Sequence, residues 1–267
     1  MNTSILSIFT RTPLHIGAGA SVGAIDQPII RERHTGFPCI PGSAIKGVIA
    51  DLYTDAANGY KRTEQGTRLL GKEDASQSGS IAFGEGKLLA FPVRSARGCF
   101  AWVTSPMVLQ RWMRDCGLSC EIPAPTGNTV YAADALQTEE GQVLLEGYLL
   151  QAQPLPEAVV NTLQHACADP MWQELLGTHL LVASDEMLSH FCTTSCEIAQ
   201  HVAIDDKTGT AKDGALFNQE NVPAETLFYA PLTELRAGTL GMLSIPPVLQ
   251  LGADATTGLG FCTVSII

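Results

Sequence analysis

The sequence lacks the features of a membrane or secreted protein. None of its 267 residues lies in an uninterrupted apolar run of eighteen or more, the length that a transmembrane helix needs. The first residues, MNTSILSIFTRTPLH, have neither the basic flank nor the long apolar segment of a secretory signal. The eight cysteines are spread over the chain without a C-x-x-C pair, so we expect reduced thiols rather than a disulfide framework. These absences predict a cytoplasmic protein without a membrane partner.

Common catalytic and metal-binding signatures are also missing. The sequence has no G-x-S-x-G or H-E-x-x-H motif, and the glycines of GAGASVG do not have the spacing of a dinucleotide fingerprint. Two cysteine pairs, Cys116 with Cys120 and Cys192 with Cys196, have equal spacing. Neither pair has the matching half that a four-ligand zinc site requires. The sequence therefore disfavours these common hydrolases, nucleotide-cofactor enzymes and a structural zinc site.

Positive charge is scarce in the second part of the chain. Residues 1–115 carry 13 Lys+Arg and 9 Asp+Glu, whereas residues 116–267 carry 3 and 18, so the net charge of −11 conceals local charges of +4 and −15. The cationic side chains that lie among the glycine-rich turns of the first part are Arg11, Arg31, Arg33, Lys46, Arg94 and Arg97. This asymmetry is compatible with one phosphate-facing surface, although a charge cluster is more often a solvated face.

The apolar pattern predicts both strands and helices. Residues 4–10 and the segment after the last glycine loop are typical of strands, and residues 43–57 place apolar side chains at helical spacing. We expect another helix that has Pro106 in its first turn and ends at Gly117. The alternating segment around DDKTGTAKDG predicts a projecting β-hairpin. With strands at both ends and helices between them, we expect one α+β domain of ferredoxin-like type with large insertions, over residues 1–267.

The segment IPGSAIKG, residues 40–47, combines a helix start with small residues and a lysine. Such a start leaves backbone N–H groups free at the positive end of the helix dipole, where a phosphate can bind. Lys46 would add a full positive charge beside them. The alternative is an ordinary helix start, with Ser43 as N-cap or first-turn residue and a solvated Lys46. The segment alone leaves both interpretations open.

A loop that holds His15 and Asp26 precedes this helix start. An acidic residue between glycine-rich turns and cationic neighbours can orient a ribose hydroxyl, assist proton transfer or hold a divalent ion near a phosphate. A single aspartate also commonly satisfies loop amides. Asp26 is therefore a candidate functional residue, with a structural role as the alternative.

Six segments of the sequence together resemble the RAMP superfamily of CRISPR-associated proteins. They are TPLHIGAG, GAIDQPIIRERHTGFPCIPGSAIKG, FPVRSARGCFAWVTSPMVLQRW, LVASDEMLSHF, IDDKTGTAKDGALFNQENVPAETLFY and LQLGADATTGLGF. Within the superfamily, the chain is similar to the repeated backbone subunits, the fourth-numbered component, of type III-B Cmr complexes. The resemblance runs from about residue 3 to the C-terminus.

The resemblance implies an RRM-like, ferredoxin-type palm and a β-hairpin thumb, here residues 197–230, that reaches across a guide–target duplex. It implies that the protein binds guide CRISPR RNA and cleaves complementary single-stranded target RNA at regular intervals. Its implied partners are other Cmr subunits and copies of itself in a helical filament, in a complex for antiviral defence. A guide-binding scaffold that cuts nothing remains an alternative, as does a free-standing RNA-processing nuclease with a histidine base and no metal.

The resemblance also implies the site residues. Asp26 occupies the position of the family's cleaving aspartate, and the family's dependence on a divalent metal, magnesium or manganese, makes Asp26 the expected metal contact. His15 is expected to assist, with packing inside the loop as the alternative. Guide RNA contacts are expected from Gly42, Ser43, Lys46, Arg94, Ser95, Gly258 and Gly260. Leu259 stands where the family often has a lysine or arginine, so one phosphate contact is expected to be lost or supplied by backbone amides.

Overall fold

A computed structural model of the protein describes residues 2–19, 23–59, 61–205, 207–212 and 215–267. The described residues contain six α-helices, which are α1 (Gly42–Asp51), α2 (Glu64–Leu70), α3 (Pro106–Cys116), α4 (Glu157–Leu163), α5 (Pro170–His179) and α6 (Asp185–Thr194). Their strands are β1 (Thr3–Thr10), β2 (Thr54–Asp55), β3 (Lys61–Arg62), β4 (Ile81–Phe83), β5 (Lys87–Arg94), β6 (Phe100–Thr104), β7 (Thr129–Ala132), β8 (Gln142–Leu145), β9 (Tyr148–Pro154), β10 (Leu180–Val182), β11 (Glu197–His201), β12 (Phe217–Asn221), β13 (Leu227–Glu234), β14 (Val248–Gln250) and β15 (Phe261–Ile266). The predicted α+β class is confirmed. No helix within these ranges is long and apolar enough to cross a membrane.

Eleven strands form one large mixed sheet. Their order is β14–β15–β1–β13–β5–β6–β10–β7–β9–β8, with β4 also paired to β13. Strand β1 lies between β13 and β15 and is antiparallel to both. Every residue of β1 from Ile5 to Thr10 is buried, because both faces of the strand are covered. A strand buried on both faces has a nearly continuous apolar sequence, which is why SILSIFT indicates a strand without any tertiary information.

The last strand of the large sheet, β8, comes close to the end of β5. Strand β8 pairs with β9 on one side. On its other side, Ser95 forms an isolated bridge with Leu145, and the Glu146 backbone N–H donates to the Arg94 carbonyl at 2.9 Å. The backbone groups of β8 are thus partly paired on both sides, which reduces the tendency of an edge strand to recruit another chain.

Aromatic side chains connect two parts of the large sheet, the strands around β1 and the strands around β6. Phe9 of β1, Trp102 of β6 and Trp172 of α5 are each at most 2% exposed. The ring centroids of Trp102 and Trp172 lie 4.7 Å apart, and those of Phe9 and Trp102 lie 6.2 Å apart in an edge-to-face arrangement. Such pairs contribute about 0.5–1.5 kcal/mol each beyond the burial of their area. They belong to one buried cluster that extends through both parts of the sheet.

Helix α1 is shorter than the apolar pattern predicts. The periodicity indicates a helix over residues 43–57, but α1 ends at Asp51 and Leu52 is 46% exposed. The Tyr53 hydroxyl donates to the Ser244 carbonyl at 3.1 Å and accepts from the Ser244 backbone N–H at 2.8 Å. The chain then turns into the short strand pair β2–β3. A tertiary contact therefore accompanies the end of the helix at a point where local periodicity would continue it.

Strands β11 and β12 form a hairpin that is separate from the large sheet. The predicted thumb segment, residues 197–230, extends beyond this hairpin. Its residues 227–230 belong to β13, where they are fully buried in the large sheet because they are uninterruptedly apolar. Asp206, Asp213 and Gly214 of the predicted turn lie outside the described residues.

Candidate functional site

Asp26 lies beside the β11–β12 hairpin and is paired with Asn218, in the part of β12 that is nearer the connecting loop. Its Oδ2 accepts a hydrogen bond from the Asn218 backbone N–H at 2.8 Å, and its own backbone N–H donates to Asn218 Oδ1 at 2.7 Å. Asn218 Nδ2 also donates to the Ala24 carbonyl at 3.2 Å. Asp26 is exposed. The carboxylate is thus fixed in position while it faces solvent.

The chain that follows Asp26 runs beside β12. The Gln27 backbone N–H donates to the Asn218 carbonyl at 3.0 Å, and the Gln27 carbonyl accepts from the Glu220 backbone N–H at 2.9 Å. Gln27 is paired in parallel with Gln219. Strand β12 is therefore hydrogen-bonded to β11 on one edge and to the Asp26 segment on the other. A movement of β12 would carry Asp26 with it.

Glu220 and Arg31 form a buried ion pair next to this contact. Arg31 Nη2 lies 2.5 Å from Glu220 Oε1, and Glu220 Oε2 accepts from the Ile29 backbone N–H at 3.0 Å. Arg31 Nη1 donates to the carbonyls of Gly36 and Cys192, each at 2.8 Å. The side chains of Arg31 and Glu220 are only 19% and 5% exposed. Arg31, one of the cationic residues considered for a phosphate-facing surface, therefore has an internal role.

The cysteines beside Arg31 do not have the character of metal ligands. Cys196 Sγ accepts a hydrogen bond from Arg31 Nη2 at 3.3 Å. Burial raises the pKa of Cys196 to about 11 and raises the pKa of Cys192 well above its usual value, so both stay neutral thiols near pH 7. All eight cysteines are free, as expected from the sequence. No group of three or more His, Cys, Asp or Glu side chains suited to a metal occurs in the described part of the chain.

His15 lies inside the hairpin base. It is 5% exposed, and its Nδ1 is 2.7 Å from the Glu220 carbonyl oxygen. A carbonyl oxygen only accepts, so Nδ1 donates in this contact. The His15 carbonyl accepts from the Ala253 backbone N–H at 2.9 Å, and a Cβ on Gly252 would lie 2.2 Å from the same oxygen. His15 thereby connects the hairpin base to residues 252–260, the C-terminal glycine loop.

The C-terminal glycine loop is also tied to β12 directly, because Gln219 Nε2 donates to Asp254 Oδ2 at 2.9 Å. Gly258 is exposed, has a φ of +93° and has open space where a Cβ would lie. Gly260 is buried, and a Cβ there would lie 1.9 Å from the Leu251 carbonyl oxygen. Of the two glycines expected to contact RNA, Gly258 is accessible and Gly260 is required by the packing of the loop.

The residues at the start of α1 pack against another part of the body. A Cβ on Gly42 would lie 2.4 Å from the Phe83 carbonyl oxygen, so this position requires glycine. The N-cap is Pro41, which makes Ser43 a first-turn residue, and no side chain caps the helix. Ser43 is exposed and Lys46 is half-buried. The first turn of α1 thus keeps uncapped N–H groups near an accessible serine and a lysine.

Arg94 and Ser95 lie at the end of β5. The Arg94 side chain is 76% exposed, and its Nη2 lies 3.2 Å from Glu146 Oε2. Ser95 is 6% exposed, and its Oγ is buried without a hydrogen-bond partner among the described residues. Arg94 is therefore accessible to a ligand, whereas the Ser95 hydroxyl is not. The turn beside Gly42 precedes β5, and an eight-residue strand spans about 23 Å, so Gly42 and Arg94 lie at opposite ends of β5.

The structure thus brings Asp26, His15 and the C-terminal glycine loop together around β12. It places the α1 residues and Arg94 on other elements. The residues that make this junction, Gln219 and Glu220, are not candidates from the sequence. They are at most 4% exposed, and the polar run NQEN breaks the alternation expected of a hairpin strand. Because buried polar groups are almost always hydrogen-bonded, such a run is the signal that could identify the junction.

Among the described residues, Asp26 suits a divalent ion only as a single protein ligand. Mg²⁺ commonly binds through one or two carboxylates, keeps several water molecules and takes its other ligands from phosphates. An exposed aspartate whose Oδ1 makes no hydrogen bond with another described residue fits that donor set. His15 is not available beside that carboxylate on the surface, because it is only 5% exposed.

Comparisons with known proteins agree on one family. The family model described as the RAMP superfamily matches residues 8–263. The chain is 34% identical, over 288 aligned positions, to a protein of Pyrococcus furiosus named "CRISPR system Cmr endoribonuclease Cmr4", and the alignment covers 100% of this chain and 96% of that protein.

Solved structures give the same result. The crystal structure of oligomeric Cmr4 from Pyrococcus furiosus superposes with a TM-score of 0.78 at 29% identity, covering 100% of this chain and 98% of that one. A chain in the cryo-EM structure of the type III-B Cmr-beta complex bound to cognate target RNA superposes with a TM-score of 0.79, covering 100% of this chain and 97% of that one. At 19% identity, the second likeness shows a shared fold.

Proposed function

Because this chain belongs to the RAMP superfamily, we propose that it is a backbone subunit of a type III-B RNA-guided effector complex, where it holds guide RNA and cleaves complementary target RNA. The observation that carries the catalytic part is the exposed carboxylate of Asp26, held against β12 of the β11–β12 hairpin. The full-length similarity to a protein named as a Cmr endoribonuclease supports the same activity. The proposed partners are guide RNA, target RNA, further copies of the chain and the other subunits of the complex.

We assign β15, β1, β13 and β5 to a ferredoxin-type palm. In these four antiparallel strands the last lies beside the first, and the first beside the third. Helix α1 is the crossover between the first strand, β1, and the second, β5. This is the arrangement of a βαββαβ unit. The described residues between β13 and β15 contain a short 3-10 helix, Leu240–Met242, where that unit would have its second helix.

The mechanism that we propose is attack of the RNA's own 2′-hydroxyl on the adjacent phosphate. This attack needs the nucleophile, the phosphorus and the leaving oxygen in line, a near-attack geometry that a regular A-form helix forbids. The hairpin carries exposed apolar side chains, Val202, Ile204 and Leu216, which are 49–65% exposed. We assign them the role of distorting the guide–target duplex beside Asp26.

Asp26 orients the 2′-hydroxyl at the distorted nucleotide in this mechanism. Its backbone N–H and its Oδ2 are hydrogen-bonded to Asn218, so the carboxylate keeps its position when RNA binds. A divalent ion at Asp26, when bound, supplies positive charge to the phosphate that becomes more negative during attack. His15 is a positioning residue in this proposal, because it holds the hairpin base against the C-terminal glycine loop.

Guide binding is assigned to backbone contacts that read no sequence. Gly42, Ser43 and Lys46 are assigned to the guide at the start of α1, where Ser43 offers an exposed hydroxyl and Lys46 a positive charge, and where Gly42 packs closely against the Phe83 carbonyl. Arg94 and Gly258 are accessible elsewhere on the surface. Phosphate contacts of this kind accept any guide, and base pairing with the guide supplies the specificity.

Two alternatives make different predictions. A histidine-based nuclease that uses His15 is disfavoured by the burial of this residue, which is only 5% exposed. A non-catalytic scaffold would leave Asp26 with a purely structural role. The test is to incubate the reconstituted complex with end-labelled complementary RNA and to map the products with and without EDTA. Evenly spaced cuts that disappear with EDTA support the proposal. Cuts that persist indicate a metal-free enzyme, and bound but intact RNA indicates a scaffold.

A further inference from the structure

We propose that Lys46, Lys72, Gln77 and Ser78 form a pocket that binds a backbone phosphate of RNA. The inference rests on the proposed function, because it extends the guide-binding surface of α1 onto the loop that follows α2. The RNA contacts predicted from the sequence do not include Lys72, Gln77 or Ser78.

The pocket is a cavity of about 330 Å³ between α1, the loop of residues 71–79 and the start of β4. Its apolar lining includes Leu70 and Ile81, which are 1% and 3% exposed and belong to the buried cluster of the protein. Leu235, which is 51% exposed, lies at the rim. The cavity therefore has a fixed floor and opens to solvent.

The polar lining consists of groups that can donate hydrogen bonds. Lys46 and Lys72 supply two ammonium groups, Gln77 an amide and Ser78 a hydroxyl. None of the four side chains makes a hydrogen bond or an ion pair within 4 Å with another described residue, and none of the described lining residues is acidic. Two cations and two neutral donors without internal partners are the complement of a phosphate group, whose oxygens only accept.

The carboxylate of Asp74 does not neutralise the pocket by direct contact. Asp74 interacts electrostatically with Lys72, but its Oδ1 accepts hydrogen bonds from the Ser76 hydroxyl at 2.6 Å and from the Ser76 backbone N–H at 2.9 Å. Asp74 lines a neighbouring depression instead of the pocket. Lys72 lies between the two and lines both.

The loop is held in a shape that keeps these side chains together. The Lys72 backbone N–H donates to the Gln77 carbonyl at 3.0 Å, which closes the turn. Gly71 has a φ of +88°, and a Cβ on Gly79 would lie 2.7 Å from the Leu69 carbonyl oxygen. Both glycines are therefore required for the close approach of the loop to the end of α2. A pre-formed site of this kind loses little entropy when it binds an anion.

The phosphate is assigned to an RNA backbone rather than to a free anion. Lys46 belongs both to the pocket and to the α1 segment that is proposed to hold guide RNA, so one strand of RNA can contact the two in succession. Lys72 and Ser78 are exposed, which leaves the pocket open along the surface, as a continuous chain requires. A free phosphate would satisfy the same donors, and the experiment separates the two sources.

The test compares Lys72→Ala and Lys46→Ala with Lys61→Ala in the full-length protein. Lys61 is an exposed lysine that lines the neighbouring depression but not the pocket, which makes it a matched control. The affinity for a fluorescent single-stranded RNA of mixed sequence is measured by anisotropy at several salt concentrations. We expect each of the two pocket variants to make the negative slope of log K against log salt shallower by about 0.7, the value for one phosphate contact on a single strand. The control should keep the slope of the unaltered protein.

The outcomes separate this inference from the proposed function. If Lys72→Ala binds RNA like the control while Lys46→Ala binds RNA more weakly, the pocket proposal is wrong. The proposed guide-binding surface of α1 is then retained. If the unaltered protein holds no RNA at low salt, the proposed function fails and the pocket fails with it. If inorganic phosphate raises the melting temperature of the unaltered protein but not of Lys72→Ala, with RNA affinity unchanged, the site binds a free anion and the RNA assignment is overturned.

Discussion

Asp26 and Asn218 are joined by two hydrogen bonds that run in opposite directions, although 192 positions separate them in the sequence. The backbone of each residue donates to the side chain of the other. The loop that carries Asp26 is thereby fastened to the first part of β12. The position of the carboxylate is therefore set by β12, so we expect the hairpin and the candidate catalytic group to move together.

The first prediction concerns this pair. Asn218→Ala removes the acceptor of the Asp26 N–H and leaves the loop less firmly held. We expect the single-turnover cleavage rate of the assembled complex to fall by about 10-fold to 100-fold, because a displacement of about 1 Å from the reactive geometry has effects of this size. Guide and target binding should be retained, since Asn218 is not assigned to either.

The control for this variant is Asn161→Ala, an exposed asparagine that lines a cavity on another part of the protein. Its cleavage rate should equal that of the unaltered complex. An unchanged rate in Asn218→Ala would show that the pair does not position Asp26.

The second prediction concerns the buried ion pair of Glu220 and Arg31. Glu220→Gln leaves a largely buried guanidinium without its counter-charge, which typically costs about 3–5 kcal/mol. We expect the free energy of unfolding, measured by urea denaturation, to fall by about 3 kcal/mol. Glu146→Gln, which removes the partner of the exposed Arg94 side chain, should change it by less than about 1 kcal/mol. Equal effects of the two variants would contradict the internal role of Arg31.

The third prediction is a pH dependence at Asp115. Burial raises the pKa of this carboxyl, but hydrogen bonds and charge from Lys87, with further bonds from Arg114 and Tyr229, lower the pKa more, so that it lies below its usual value. Lys87 Nζ is 2.5 Å and Tyr229 Oη 3.1 Å from Asp115 Oδ2. A carboxyl with a lowered pKa stabilises the fold above its unfolded-state pKa of about 3.9 and loses that contribution as the pH falls through its folded-state pKa.

We therefore expect Asp115→Asn to lower the free energy of unfolding by about 1–3 kcal/mol at pH 7. The difference from the unaltered protein should narrow below about pH 4. Urea denaturation at pH 7 and at pH 3 measures both values. A difference that stays constant between the two pH values would mean that the charge of Asp115 does not contribute.

Local sequence signals were sufficient to predict several helices and strands. Helix α3 begins at Pro106 and is followed by Gly117 in a left-handed conformation, as predicted, because proline fits a first turn and glycine favours a positive φ. The strand in residues 4–10 and the hairpin around DDKTGTAKDG are likewise confirmed. Each depends on side-chain periodicity or turn chemistry within about a dozen residues.

Long-range contacts decide what the sequence could not predict. Arg31 is a surface candidate by its neighbours in the chain, yet its partner Glu220 lies 189 positions away. Ser95 is buried because the chain after β5 pairs with β8, a pairing with no local signal. The position of Asp26 beside β12 has the same origin, since Asn218 is remote in sequence.

The central claim is that the Asp26 carboxylate acts in the cleavage of target RNA while the rest of the protein holds the guide. The matched pair of variants is Asp26→Asn and Asp55→Asn. Asp55 is also an exposed aspartate whose side chain accepts a backbone N–H, that of Ala57 at 2.9 Å. Asparagine at position 26 keeps an oxygen for the Asn218 N–H, so the loop should stay in place.

The decisive measurement is the single-turnover cleavage rate of labelled target RNA by complexes assembled with each variant, with guide and target binding recorded in the same samples. We predict that Asp26→Asn lowers the rate by at least about 100-fold with both RNAs still bound, and that Asp55→Asn cleaves like the unaltered complex. Cleavage by Asp26→Asn at the unaltered rate, or a loss of cleavage only in proportion to lost RNA binding, would contradict the account.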